Sequence, residues 1–285
     1  MRARPKPRSG RSRMRRAAVA AFAFAVAAAF SASVGAASSE EPAAPMDVDA
    51  AIVLAVDSSF SVDPGIAAVQ RLGHAEALRS SEVARAIRSG PLGCVAVAYV
   101  EWSGVGELRT VMPWTALCRP EDAGAAADRI AREGDVGMRR PWRGRTSLSF
   151  AIAAGQLLLD GFPGRAGRKI IDISTNGTNN DGLPVVSARD RALGQGYVIN
   201  AIAVAREEPG ITDDLPGYLT HSVVGGPGAF TISAEHPRDY AQALRRKLVL
   251  EISGADAAGE GSGPATLCLS TKTTPAERCA KPGGA

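Results

Sequence analysis

The chain has 285 residues, 45% of them apolar and 22% charged, a formal net charge of +4 and a pI near 9.0. Eight of its 33 basic residues (Arg2, Arg4, Lys6, Arg8, Arg11, Arg13, Arg15 and Arg16) stand in the first 16 positions, so without them 25 bases face 29 acids. That balance excludes a nucleic-acid partner, which needs basic residues clustered on the folded domain.

The same cationic stretch is followed by an apolar run, Ala17 to Phe30, and by small residues from Ser31 to Ser38. Val34-Gly35-Ala36 meets the small-x-small rule, so residues 1–36 read as a signal peptide cleaved before Ala37. A retained anchor is the alternative, but alanine dominates the run and is only weakly apolar. Arg15-Arg16 lacks the rest of a twin-arginine motif, and no cysteine near the cleavage site supports a lipid anchor. The mature chain, expected to be periplasmic or secreted and without a membrane span, keeps roughly 245 residues, enough for one large α/β domain.

Residues 37–46 read as a polar linker. Ala50–Val56 (AAIVLAV) is a near-continuous apolar run, the pattern of a strand buried on both faces. Asp63 is suited to an N-cap and Pro64 to the first helical position, so a helix is expected over 64–88, ended by Ser89-Gly90-Pro91. Cys94–Ser103 and Leu108–Trp114 predict a hairpin about a glycine-containing turn at 104–107. A helix at 120–134 leads into a Gly/Arg-rich loop, 135–145, and another helix starts near Thr146. The strand Arg168–Ser174 and its loop TNGTNNDG precede a helix at 184–195 and a strand at Tyr197–Val204. After a Pro-rich, acidic stretch and a short helical turn come a last strand near Ala229–Ser233 and a helix at 237–250. The alternation predicts a doubly wound, mainly parallel sheet with one antiparallel edge strand. Residues 253–285, rich in Gly, Ala, Pro and Thr, read as an extended or mobile tail.

The four cysteines allow three pairings, and no C-x-x-C argues for zinc. Cys94 and Cys118 lie equally far from the hairpin centre near residue 106, which favours a bridge at its open end. Cys268 and Cys279, close in the tail, would close a small loop.

In an open parallel sheet ligands bind at the carboxyl ends of the strands. Three loops are expected there, carrying Asp57, Ser59 and Ser61, then Thr146, then Asn176. Together they make an all-oxygen set of the kind hard cations take. D-x-S-x-S after an apolar first strand, a distant Thr and a later strand-end loop resemble a von Willebrand factor A domain with its metal-ion-dependent adhesion site, over residues 47–252. The stretches YVEWSG, RTSLSFAI, IDIS-x-NG-x-NN, ARDRA, GGPGAF and RRKLVLEI are similar to those of a bacterial family of exported proteins of this fold whose function is uncharacterised. The resemblance implies that Asp57, Ser59, Ser61 and Thr146 hold Mg²⁺ (or Mn²⁺ or Ca²⁺), directly or through water. Asn176 stands where the family has Asp. That departure costs the site one negative charge, leaving either weaker metal binding with a more electrophilic ion or a degenerate, metal-free site.

Other polar residues carry less. Asp172 should share the face of Asn176 but lie deeper, paired with an Arg or replacing the missing charge. Asn179, Asn180 and Asp181 read as a turn that could rim the site. Gly104-x-Gly106 sits in a hairpin, and Gly225-Gly226-Pro227-Gly228 precedes a strand, so neither is a nucleotide loop. No G-x-S-x-G occurs, and His74, His221 and His236 fall outside the loops expected near Ser59, leaving a serine hydrolase without its base. Trp102 reads as core. Arg140, Arg143 and Arg145 are a solvated loop or an attraction for an acidic partner. The expectation is a non-catalytic binding module that engages an acidic residue of a protein partner. Its rivals are a metal-free scaffold of the same fold and a hydrolase.

Overall fold

The computed structural model describes residues 45–137, 144–204, 214–234, 236–254 and 265–269. Seven strands form one sheet in the order β3-β2-β1-β4-β5-β6-β7. They are β1 (Met46–Asp57), β2 (Val95–Trp102), β3 (Leu108–Leu117), β4 (Gly164–Thr175), β5 (Val198–Ala203), β6 (Phe230–Ala234) and β7 (Ala265–Leu269). All neighbours are parallel except β2 and β3, which form the antiparallel hairpin at one edge. Gly106 in its turn has φ 84°, a conformation open to glycine at little cost.

The helices are α1 (Pro64–Arg79), α2 (Ser81–Ser89), α3 (Pro120–Glu133), α4 (Leu148–Asp160), α5 (Val185–Gly194), α6 (Leu215–Ser222) and α7 (Tyr240–Ser253). Those named α1, α2, α3 and α7 cover one face of the sheet, while α4, α5 and α6 cover the other. The apolar run of β1 follows from this sandwiching. Ala50, Ile52, Leu54 and Val56 face the first layer; Ala51, Val53 and Ala55 face the second. Alternation along the strand therefore leaves no position for water.

Several expected boundaries move. The helix over 64–88 is broken at Ser80, which ends α1 with an extended backbone and caps α2 by accepting from Val83 N at 3.2 Å. An N-cap serine with Glu82 in the first turn restarts the helix in a new direction. At the other end of the chain, residues 265–269 of the expected tail are not a free segment. They add a seventh strand parallel to β6, with Thr231 opposite Thr266. β1 begins at Met46 rather than 50, and β3 runs on to Leu117.

Cys94 and Cys118 are bridged, with Cα atoms 4.2 Å apart, at the open end of the hairpin. A link spanning 24 residues contributes about 3 kcal/mol by restricting the unfolded chain. Of the second expected pair, Cys268 lies on the backbone of β7, and Cys279 is outside the described residues.

Candidate metal-binding site

Strand parity and register build the site. Val56 of β1 pairs with Ser174 of β4. One step further on, Asp57 and Thr175 lie side by side and point toward the α4 layer. There Thr175 Oγ1 donates to Asp57 Oδ2 at 2.7 Å, and Ser59 N donates to Oδ1 at 2.7 Å. Gln70 of α1 donates to the Asp57 carbonyl at 2.9 Å, tying the strand end to the opposite layer. Asp57 is 1% exposed. Burial pushes its carboxyl pKa above the usual range, and donation from Thr175 and Ser59 pulls it partly back.

Asp57, Ser59, Ser61, Thr146 and Asn176 are brought into one constellation from three loops. Thr146 Oγ1 donates to Ser59 Oγ at 3.1 Å, Ser59 and Ser61 hydroxyls are 3.2 Å apart, and Ser61 Oγ donates to Asn176 Oδ1 at 2.8 Å. Asn176 Nδ2 donates back to the Ser61 carbonyl at 3.1 Å, which turns its amide oxygen toward the hydroxyls. Thr146 thus donates into the cluster and Ser61 donates out of it to Asn176, and the hydroxyl oxygens keep lone pairs to offer.

These residues fit a hard cation. Oxygens about 2.1 Å from Mg²⁺ in an octahedron are about 3 Å from their neighbours, which is the spacing from Thr146 to Ser59 to Ser61. No group of three or more His, Cys, Asp or Glu that could hold a metal occurs among the described residues. The single carboxylate makes the charge of the site low.

Asn180 and Asn179 form the wall behind Thr146. Asn180 Oδ1 accepts from Thr146 N at 2.9 Å and its N donates to the Thr146 carbonyl at 2.9 Å; Asn179 Oδ1 accepts from Ser149 N at 3.0 Å. Asp181 reaches the hairpin turn, accepting from Val105 N at 3.0 Å. The turn residues therefore position Thr146. Gly182 has φ 78°, and a Cβ there would stand 2.8 Å from Ser147 Oγ. Arg145 is exposed beside Thr146, while Arg140 and Arg143 lie outside the described residues. Phe60, between the two serines, is 62% exposed, and Trp102 is fully buried.

Asp172 corrects an expectation. It lies on the opposite face of β4 from Thr175, its Oδ2 2.6 Å from the Lys247 ammonium of α7, so its partner is a lysine and it does not reach the hydroxyl cluster. Thr175 and Gln70 were missed as site residues. The signal for Thr175 was parity: Ser174 and Asn176 drew attention to one face, and the carboxylate of Asp57 came down on the other.

Residues 47–256 match the family model DUF1194, described as a protein of unknown function. The chain belongs to the DUF1194 family. No curated protein matches this DUF1194 chain. Among solved structures it is similar to proximal thread matrix protein 1 from the mussel byssus, with a TM-score of 0.52 and 15% identity over 73% of this chain and 48% of that one. A form of the same mussel protein with a zinc-occupied MIDAS motif matches with a TM-score of 0.50 and 17% identity over 73% and 49%. The von Willebrand factor domain of the type V pili tip protein Mfa5 from Porphyromonas gingivalis gives 0.46 and 10% over 76% and 99%. The DUF1194 chain spans about half the length of the mussel protein. Its fold is von Willebrand factor A-like.

Proposed function

We propose that this DUF1194 chain is an exported adhesion-type binding module, and that Asp57, Ser59, Ser61, Thr146 and Asn176 hold a divalent cation, Mg²⁺ or alternatively Mn²⁺ or Ca²⁺. The observation that carries the reading is the hydroxyl series from Thr146 through Ser59 to Ser61, at octahedral spacing beside a buried carboxylate. The zinc-occupied MIDAS motif of the mussel protein supports a divalent ion at this place in the fold. When bound, the ion supplies a positive charge that a carboxylate of a protein partner can meet. The chain's residues do the rest. Thr175 and Ser59 N orient the Asp57 carboxylate, Asn180 fixes Thr146, and exposed Phe60 offers apolar contact beside the anion. With one carboxylate in the set, little charge within the site competes with an incoming acid.

Export rests on the cationic and apolar N-terminal segment, residues 1–36. No helix of the described residues is long and apolar enough to cross a membrane.

A second reading, a metal-free scaffold, is favoured by Asn176, whose amide closes the hydroxyl series by hydrogen bonds alone. Calorimetric titration of Mg²⁺ and Mn²⁺ into the mature chain separates the two. Saturable binding, lost in Asp57→Ala, is expected; a parent that takes up neither ion, or an Asp57→Ala variant that binds as well as the parent, overturns the metal reading.

A further inference from the structure

The most unusual chemistry in the molecule lies away from that site, under α7. Asp172 on β4 and Asn200 on β5 are registered neighbours, and Lys247 and Glu251 stand one turn apart on α7 above them. The Lys247, Asp172 and Glu251 side chains are 0% exposed. Lys247 Nζ is 2.6 Å from Asp172 Oδ2 and 2.5 Å from Glu251 Oε1, and the Phe230 ring lies 5.9 Å from Nζ. Glu251 Oε1 also accepts from Asn200 Nδ2 at 2.8 Å, while Asn200 Oδ1 accepts from Phe230 N at 3.0 Å. Asn200 is thereby locked, and it locks Glu251.

As an ordinary ion-pair cluster this arrangement is poor. With both acids ionised, two carboxylates and one ammonium would leave one negative charge in excess in a region closed to water, where each ion pays a large desolvation cost. Neither Asp172 oxygen has a hydrogen-bond partner among the described residues. The ammonium is close to Oδ2 but off the hydrogen-bond axis, and Glu251 Oε2 is also unpartnered. Burial, then the charge of Asp172, raises Glu251 to about 8, so it keeps a proton at neutral pH. Of the other titratable groups close by, His74 and Tyr240 are neutral there, since burial lowers His74 to about 4 and raises the Tyr240 phenol, while the Arg168 guanidinium donates to the Glu251 and Ile252 carbonyls at the end of α7.

We propose that Lys247 and Asp172 are joined by an intramolecular amide, formed within the folded chain with Glu251 as the proton carrier. In this step one proton passes from Nζ to the Asp172 carboxyl, giving the neutral amine and the neutral acid that amide formation requires. The Nζ lone pair attacks Asp172 Cγ and the C–N bond forms. Glu251 gives its proton to the departing hydroxyl and receives one from the nitrogen, the C–O bond breaks, and one water leaves. Acid plus amine becomes amide plus water, and no oxidant, reductant or activating group is needed. Positioning replaces activation: a strand and a helix hold Nζ 2.6 Å from an oxygen of the Asp172 carboxyl group, and such fixed proximity is the condition under which effective molarities become very high. The product removes both charges and ties the C-terminal helix to the central part of the sheet by a covalent bond. It does not depend on whether the hydroxyl site holds a metal.

The test is mass spectrometry of the chain after reduction and tryptic digestion. A single product is expected in which residues 170–189 and 247–272 are joined, lighter by one water than the two peptides together, with cleavage after Lys247 blocked. Glu251→Gln, which keeps the size of the side chain but cannot carry the proton, is expected to yield the two peptides unlinked. Two separate peptides from the wild-type chain overturn the proposal and leave a buried ion cluster. A product lighter by one ammonia, joining Lys247 to the peptide containing Asn200, overturns the assignment to Asp172. Full linkage in Glu251→Gln overturns the role of Glu251.

Discussion

Strand β4 and the residue that follows it carry two polar regions, three to four positions apart, that behave as opposites. At its end, Thr175 and Asn176 join a cluster of neutral hydroxyl and amide groups with one carboxylate, near the carboxyl edge of the sheet. Deeper in, Asp172 meets Lys247 and Glu251 beneath α7, closed to solvent. The first region is short of charge, with lone pairs left to offer; the second gathers three ionisable side chains where water cannot reach them. Polar side chains at a strand end can wait for a ligand, whereas ionised ones under a helix must neutralise one another, by proton or by bond.

The largest effect should come from breaking the deep region. Lys247→Met leaves two buried acids with no cation and no cross-link, and a loss of about 3–5 kcal/mol is expected in urea unfolding. Metal titration of the folded variant should match the parent, since Lys247 touches no group of the hydroxyl cluster; a shift there would show that the two regions are coupled.

A pH series sharpens the same contrast. His74 is neutral and buried, its Nδ1 donating to the Gln70 carbonyl at 2.7 Å, with its value lowered to about 4 from 6.5 by burial. The unfolded chain therefore takes up this proton first. The His74 contribution is present above pH 6.5 and is lost as pH falls toward about 4, at a cost approaching 3 kcal/mol. Glu251 has the opposite sign, losing stability as pH rises from 4.5 to about 8. Urea midpoints measured from pH 8 to pH 4 should pass through a maximum, and His74→Gln should flatten the acid limb. An unchanged acid limb would remove His74 from the account.

The smallest expected effect restores charge at the open region. Asn176→Asp adds an anionic oxygen beside Ser61 and should tighten Mg²⁺ about tenfold, about 1.4 kcal/mol, in calorimetry. Binding in this variant alone, with none in the parent, would make the natural protein a metal-free scaffold.

Much of this was legible. The apolar run of β1, Asp63 and Pro64 at the start of α1, the hairpin and its Cys94–Cys118 bridge all follow from local chemistry, because strand alternation, caps and turns are properties of a few adjacent residues. The break at Ser80 had a signal, a capping serine followed by an acid, but no Gly or Pro interrupts the helical pattern there to give it weight. β7 had almost none. ATLCL follows a Gly- and Pro-containing stretch, and its backbone becomes a strand through pairing with β6.

The sequence by itself determined which residue types stand at the carboxyl edge of the sheet, since each follows directly on a strand or precedes a helix whose own pattern is local. Only the tertiary structure decided what each polar group meets. Thr175 faces Asp57 because β1 and β4 pair in one register. Asp172 faces Lys247, not an arginine, because α7 crosses β4 where it does. Residues 75 positions apart in the chain (172 and 247) leave no local trace of one another, and contact between them is set by the packing of helix on sheet.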